Sequence, residues 1–190
     1  MRIYWQCIEG MGGFKGQALR LHLLTGGQRI EQLVKAKRSS PLADCITLLD
    51  GKGRPGKAAR EHTVPLVGSV LEDVEALRAG KGEWLLSTDG GKSHLGATTL
   101  SAWAKAAAGD KIKDFQAKRI RSGVETLLAS ARLSRDQRGR LQSHGVGGVQ
   151  ATHYDAHDYL PEKREALETL RRLLDQVEQP SNVVLLRANG

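Results

Sequence analysis

The chain has 190 residues, which is long enough for one domain with a sizeable core and short for two, and its shares of 39% hydrophobic and 26% charged residues are ordinary for a globular protein. No apolar run approaches the roughly 18 residues that cross a bilayer, and the N-terminus has no apolar signal core, so we expect a cytoplasmic protein without membrane contact. The net charge of +8 makes nucleic acid a candidate partner, so the protein could associate with the nucleoid. The alternative is a basic surface that serves solubility.

Glycines divide the first part of the chain. Residues 1–13 are expected to be a short N-terminal piece, and apolar side chains at helical spacing predict a helix over 14–25. Gly26-Gly27 ends this helix because glycine tolerates the left-handed conformation of a helix C-terminus. A second helix is predicted from about 29 to 37. Arg29 then projects from a constrained corner in its first turn, although a solvated arginine is the commoner case at a helix end.

A β-hairpin with a basic tip is predicted next. Residues 45–49 and 61–66 have the composition of strands, and residues 50–57 between them are rich in turn formers. Lys52 in this tip could reach a phosphate or a leaving group, although a solvated lysine is the ordinary interpretation. The tip glycines have dinucleotide-binding spacing, but that motif requires a helix after the third glycine, and a strand follows here. We therefore predict no nucleotide site.

The middle of the chain is predicted to be a run of helices, interrupted by an extended piece at 84–88. The helices cover residues 67–79, 98–107, 116–132 and 134–143, the last with Ser134 as its N-cap. Lys118 and Arg121 lie three apart near the start of one helix, where the helix dipole also favours an anion such as phosphate. A basic first turn that faces water is the alternative.

A glycine-rich segment runs from Leu141 to Tyr154 and is predicted to contain a helix end, a turn and a short helical piece. A tyrosine downstream of a histidine such as His144 can act as a nucleophile, although on local sequence a packing role is commoner. His153 and His157 have the spacing of zinc ligands, but a closed site needs about four ligands and no further strong ligand accompanies them. We therefore predict no metal.

The chain ends in a helix and a strand. Pro161 and Glu162 mark the start of a helix that is predicted to reach about residue 178. Residues 179–181 break it, and residues 182–187 have the apolar composition of a strand. Such a strand needs a sheet edge, in its own subunit or in a neighbour's.

Six segments together resemble the catalytic domain of the tyrosine recombinases, the phage integrase family. Each is modest alone, but they occur in the family's order over most of the chain. They are Leu23 to Arg29, Leu49 to Lys52, Val64 to Leu66, Lys118 to Arg121, Leu141 to His144, and His153 with Tyr154. The resemblance implies a mainly helical α+β fold, a helical bundle with a small antiparallel β-sheet. Residues 1–178 would form the catalytic domain and residues 179–190 a tail.

The resemblance also implies a chemistry, with neither cofactor nor metal. The tyrosine would attack a DNA phosphate, form a 3′-phosphotyrosyl bond and release a 5′-hydroxyl. Two arginines would bind the non-bridging oxygens, and the hairpin lysine would protonate the leaving oxygen. A second lysine and a histidine would hydrogen-bond the phosphate and help to orient or deprotonate the tyrosine. These candidate site residues are Arg29, Lys52, Lys118, Arg121, His144 and Tyr154.

The partners implied are double-stranded DNA attachment sites and further copies of the chain, assembled as a tetramer on DNA. The reaction would integrate or excise a prophage or a genomic island, and the tail with its strand 182–187 could be exchanged between subunits. The family's N-terminal core-binding domain, which closes around DNA, is not in this sequence, so we expect weak DNA affinity from the chain alone.

Four residues depart from the family's pattern. Lys118 stands where histidine is frequent, Gln32 and Arg119 where an acidic residue is usual, and Ser143 where glycine is usual. These departures favour an alternative, a DNA-binding module of the same fold that has lost strand transfer. A third hypothesis is an enzyme that relaxes DNA supercoils with the same tyrosine chemistry.

Overall fold

The computed structural model describes residues 1–51, 58–144 and 158–176. Helices dominate these residues, so the prediction of a mainly helical α+β fold is confirmed. The helices are α1 (Arg2–Ile8), α2 (Gly13–Leu24), α3 (Ile30–Leu33), α4 (Val70–Arg78), α5 (Ala97–Ala108), α6 (Arg119–Ser130), α7 (Arg135–Leu141) and α8 (Leu160–Asp175). None of these helices is long and apolar enough to cross a membrane.

A small antiparallel sheet has the strand order β1-β2-β3, with β1 at Pro41–Leu42, β2 at Cys45–Asp50 and β3 at Arg60–Pro65. The predicted hairpin is therefore confirmed. Side chains alternate along β2, so that Asp50 lies on the same inward face as two buried apolar residues, whereas Leu49 is 58% exposed. The two-residue strand β1 was not predicted, because so short a segment shows no periodicity.

Helix α2 lies at the centre of the helical core and packs against α1, α4, α5, α6 and α8. Its apolar residues point in several directions, and Leu19, Leu21, Leu23 and Leu24 are all buried. The second half of α2 is buried nearly all round, whereas Lys15 near its start is exposed, and each buried leucine stabilises the fold by about 1.5–3 kcal/mol. The Gly26-Gly27 bend therefore follows directly on a helix end that is fixed in the core.

The short N-terminal piece expected at residues 1–13 contains a helix, α1, that was not predicted. Trp5 is buried, its Nε1–H donates to Asp175 Oδ1 at 3.0 Å, and the guanidinium of Arg171 lies 4.4 Å from its ring centroid. Aromatic residues are weak helix formers, so packing against α8 rather than propensity forms this helix.

Several element bounds also differ from prediction. Helix α3 is one turn rather than the predicted 29–37, because the chain leaves it to form a bridge between Lys37 and Trp84. Trp84 is the first residue of the extended piece predicted at 84–88, so this piece supplies one side of the bridge. The predicted N-cap of α7 is confirmed: Ser134 Oγ accepts from the backbone of Gln137, whose side chain accepts from the backbone of Ser134.

Some predictions concern residues outside the described part of the chain. These are the hairpin Lys52, the pair His153 and His157, Tyr154, and the strand 182–187.

Candidate active site

The Gly26-Gly27 bend lies against the start of α6 and the end of α7. Both glycines have positive φ, 87° and 65°. A Cβ on Gly27 would lie 2.9 Å from the Cα of Arg121, and a Cβ on Gly26 would lie 3.1 Å from the side chain of Leu141. Only glycine permits this approach without strain. The bend thereby brings Arg29, two residues further on, close to Arg121.

Two buried glutamine amides hold the same three segments together. Gln28 Nε2 donates to the carbonyl of Leu141 at 2.9 Å. Gln142 Nε2 donates to the carbonyls of Gly26 and Arg121, both at 2.9 Å. Both side chains are almost fully buried, where hydrogen bonds are costly to lose. The bend, the start of α6 and the end of α7 therefore form one rigid corner.

Four of the six predicted site residues line one cavity of about 730 Å³: Arg29, Lys118, Arg121 and His144. They come from the start of α3, the start of α6 and the residues after α7. The first turns of α5 line the same cavity. The structure thus brings together residues that are far apart in sequence, as the resemblance implied for a common site, whereas their catalytic roles stay predictions.

Arg121 is fixed in the cavity by three acceptors. Its Nε–H donates to His144 Nε2 at 3.2 Å, its Nη1 to the carbonyl of Gly27 at 3.3 Å, and its Nη2 to the carbonyl of Gln142. Burial and the positive charge of Arg29 lower the pKa of Arg121 to about 10. The guanidinium remains charged at neutral pH, and an anion bound between the two arginines would relieve their repulsion.

Arg29 is held by a buried carboxylate that sequence reasoning missed. Its Nη1 lies 2.9 Å from Asp50 Oδ1, as a close ion pair without hydrogen-bond alignment, and its Nη2 donates to the carbonyl of Ser143 at 3.3 Å. Asp50 also accepts from Gln32 Nε2 at 2.6 Å and from Ser143 Oγ at 2.5 Å, and Arg60 Nη2 lies 3.6 Å from it. The sequence signal was a carboxylate at an inward position of β2.

Lys118 is the N-cap residue of α6 and is exposed, as is Arg119. The first backbone N–H groups of α6 are not open to a ligand, because Arg119 and Ile120 donate to the carbonyls of Gln116 and Ala117. The predicted anion affinity of this helix start therefore rests on its two basic side chains and its dipole rather than on those two N–H groups.

His22 is a second residue that was not singled out. It lines the cavity, is 1% exposed, and its Nε2–H donates to the carbonyl of Gln28 at 3.0 Å. Burial lowers its pKa to about 4, so the ring is neutral at physiological pH. Its Nδ1 has no hydrogen-bond partner within the described residues. The hydrogen bond from the His22 ring to Gln28 therefore helps to hold the chain directly after the Gly26-Gly27 bend.

Metal-binding side chains do not cluster in the described part of the chain, where no group of three or more His, Cys, Asp or Glu residues could hold an ion. The positive charge in the cavity comes instead from guanidinium and ammonium groups. Such groups can stabilise charge on a transferring phosphoryl group.

No protein family profile matches the sequence, and no curated protein matches it. Solved structures do match. A lambda integrase fragment, a dimer bound to a COC′ core site, is 20% identical with a TM-score of 0.56, over 82% of this chain and 57% of that one. A longer lambda integrase dimer on the same kind of site is 21% identical with a TM-score of 0.56, over 83% and 45%.

A lambda integrase tetramer bound to a Holliday junction is 21% identical with a TM-score of 0.55, over 81% of this chain and 46% of that one. The chain therefore spans about half the length of the solved chains that it matches. At this identity the likeness concerns the fold. The chain has a tyrosine recombinase catalytic-domain-like fold, as the resemblance implied.

Proposed function

We propose that this chain is the catalytic domain of a site-specific DNA recombinase that breaks and rejoins DNA through a 3′-phosphotyrosyl bond. The observation that carries the proposal is the convergence of Arg29, Lys118, Arg121 and His144 on one cavity. Three cations around one imidazole suit a phosphodiester, because its negative charge grows in the transition state. The integrase-like fold adds support.

The chemistry follows from the types of side chain. The phenolate of Tyr154 attacks phosphorus, the bond to the 5′ oxygen breaks, and Lys52 gives that oxygen a proton. Arg29 and Arg121 bind the two non-bridging oxygens with planar donors. His144 Nε2 accepts a hydrogen bond from Arg121, which holds the imidazole beside the phosphate site, where it would hydrogen-bond the phosphate and help to orient the tyrosine. The phosphotyrosyl ester keeps the energy of the broken bond, and no ATP is required.

The proposed substrates are attachment sites in double-stranded DNA, and the proposed assembly is a tetramer on DNA in the cytoplasm. The solved integrases are a dimer on a core site and a tetramer on a Holliday junction. The net charge of +8 suits a polyanionic partner. The biological reaction would be integration or excision of a mobile element, with the 182–187 segment exchanged between subunits.

The test traps the covalent intermediate and works for any target sequence. The protein is incubated with a pool of end-labelled duplexes that carry a randomised segment with a nick at its centre. Cleavage a few nucleotides upstream of the nick releases a short 5′-hydroxyl fragment, which diffuses away and leaves protein-linked DNA. The adduct is recovered after denaturation, its DNA is sequenced, and the linked peptide is mapped.

Wild type should give an adduct on the peptide that contains Tyr154, and Tyr154→Phe should give none. Tyr159→Phe is the matched control, because the Tyr159 ring contacts the Arg140 guanidinium 3.3 Å from its centroid, a contact that phenylalanine keeps. An adduct on any other residue, or retention of DNA by wild type without any adduct, would overturn the proposal.

Retention of DNA by wild type without an adduct would indicate the alternative, a DNA-binding module without strand transfer. Two observations favour it: Arg121 already donates to two backbone carbonyls, and Arg29 is already paired with Asp50. In that case DNA retention falls steeply with salt, and no denaturation-resistant complex forms.

A further inference from the structure

We propose that Asp50 is the positioning residue for Arg29, and that Gln32 and Ser143 act on the cavity through this carboxylate. The inference rests on the proposed function, because it assigns residues that place one of its phosphate-binding groups. Asp50, Gln32 and Ser143 were not among the candidate site residues of the sequence.

Asp50 joins four segments of the fold. Its carboxylate is 5% exposed and lies at the end of β2. Arg29 and Gln32 reach it from either end of the α3 turn, Arg60 from the start of β3, and Ser143 from the residues after α7. A buried charge is stable only when it is paired and hydrogen-bonded, so these contacts fix the carboxylate, and the carboxylate in turn fixes Arg29.

The charge balance of this network keeps the cavity cationic. Arg29 and Arg60 carry two positive charges against the single negative charge of Asp50. Gln32 is neutral, yet it donates to the same Oδ1 that pairs with Arg29, at 2.6 Å. A glutamate at position 32 would add a second negative charge beside Arg29 and weaken its attraction for phosphate. Among residues 1–51, 58–144 and 158–176, the carboxylate that these contacts share is that of Asp50, placed on β2 rather than on α3.

Ser143 connects the network to the turn that presents His144. Its φ is 54°, in the left-handed region that favours glycine. The serine hydroxyl donates to Asp50 Oδ2 at 2.5 Å and accepts from Arg60, and its carbonyl accepts from Arg29. These contacts offset the backbone cost of a non-glycine residue there. The same carboxylate therefore sets the position of Arg29 and of the chain directly before His144.

The first experiment exchanges the positions of the acid and the amide. Asp50→Asn should lower the single-turnover cleavage rate about 10–100-fold at saturating DNA, because a misplaced binding group costs up to about 100-fold, with little change in DNA affinity. The double variant Asp50→Asn/Gln32→Glu restores one carboxylate to the same pair of side chains. It should recover at least about tenfold of the loss in rate.

Asp44→Asn is the matched control. Asp44 lies in the same sheet region and pairs with Arg164 at 2.5 Å, and it is half-exposed rather than buried in the cavity network. The control removes the same charge, and its cleavage rate should equal that of wild type. A wild-type rate for Asp50→Asn, or a double variant no faster than the single variant, would refute the positioning role.

A second measurement needs no cleavage and separates failure of this inference from failure of the proposed function. The side-chain NMR signals of Arg29, assigned by Arg29→Lys, should show restricted guanidinium rotation in wild type. They should show averaged rotation in Asp50→Asn and restricted rotation again in the double variant. If wild type forms no adduct but the signals behave in this way, only the proposed function fails. If the signals are the same in all three proteins, the positioning role fails.

Ser143→Gly covers the case in which Asp50→Asn does not fold. Glycine relieves the positive φ and removes the hydroxyl, so the unfolding midpoint should stay equal or rise while the cleavage rate falls. A purely structural residue would move both quantities in the same direction, and that result would overturn the role assigned to Ser143.

Discussion

Gly27 packs directly on the backbone of Arg121: a Cβ added to Gly27 would lie 2.9 Å from the Cα of Arg121. Gly27 also has a φ of 65°, where a side chain is strained. We therefore expect Gly27→Ala to destabilise the protein by about 2–4 kcal/mol, from backbone strain together with overpacking. Urea unfolding measures the loss, and the cleavage rate should fall with it because the two site arginines move apart.

Gly68→Ala is the control for that substitution. Gly68 has a φ of 61°, close to that of Gly27, but nothing lies within 4 Å of its added Cβ. Its replacement should cost only the backbone term, about 1 kcal/mol. Equal losses for the two variants would mean that a methyl group at position 27 meets no steric clash with α6.

Replacement of either site arginine by lysine keeps the charge but removes the planar pair of donors. Arg29→Lys and Arg121→Lys should each lower single-turnover cleavage about 10²–10³-fold, the loss typical of one transition-state donor. The measurement is the rate of adduct formation on a duplex recovered from the randomised pool. Arg78→Lys, which alters an exposed pair with Glu75 on α4, should cleave at the wild-type rate. A small effect of both site variants would place phosphate binding elsewhere.

Two buried histidines predict acid sensitivity. Burial is the main cause that lowers the pKa of His22 and of His62 to about 4 from the usual 6.5. Between pH 6.5 and 4 the unfolded chain therefore binds protons that the native protein does not, and stability falls as the pH is lowered. Each histidine should contribute a loss of about 3 kcal/mol across that window, measurable by urea unfolding at a series of pH values.

His62→Gln tests this assignment. It removes one of the two buried histidines, so the loss of unfolding free energy between pH 6.5 and 4 should shrink by about 3 kcal/mol. The cost of the substitution to packing is measured separately at pH 8, where the histidine is neutral in both states. An unchanged pH dependence would show that other groups cause the acid sensitivity.

The fold was predictable where the apolar pattern is long and regular. The helices around 14–25, 116–132 and 160–178 and the 45–66 hairpin have such patterns, and the structure contains them with small shifts of their ends. Helix α1 was missed because its aromatic residues favour a helix only when they pack against α8. Local patterns do not contain that long-range term.

The candidate site, like the fold, could be predicted from the sequence only in part. The resemblance pointed to Arg29, Lys118, Arg121 and His144, and the structure gathers them on one cavity. Asp50 was hidden in a segment of turn residues. In the sequence Gln32 and Ser143 were two unrelated departures from a family pattern. Both donate to Asp50, and no rule of spacing connects positions 32, 50 and 143.

Lys118 offers a last prediction, on the salt dependence of DNA binding. It is an exposed ammonium at the rim of the cavity, so we expect it to contact a phosphate. Each phosphate contact releases counterions and adds about 0.9 to the slope of log K against log salt concentration. Lys118→Ala should lower the magnitude of the slope by about that amount, whereas Lys81→Ala, which changes an exposed lysine that does not line the cavity, should leave it unchanged.

Fluorescence anisotropy with a labelled duplex at a series of salt concentrations measures the slopes of both variants. Equal slopes for the two variants would exclude Lys118 from the DNA-binding surface.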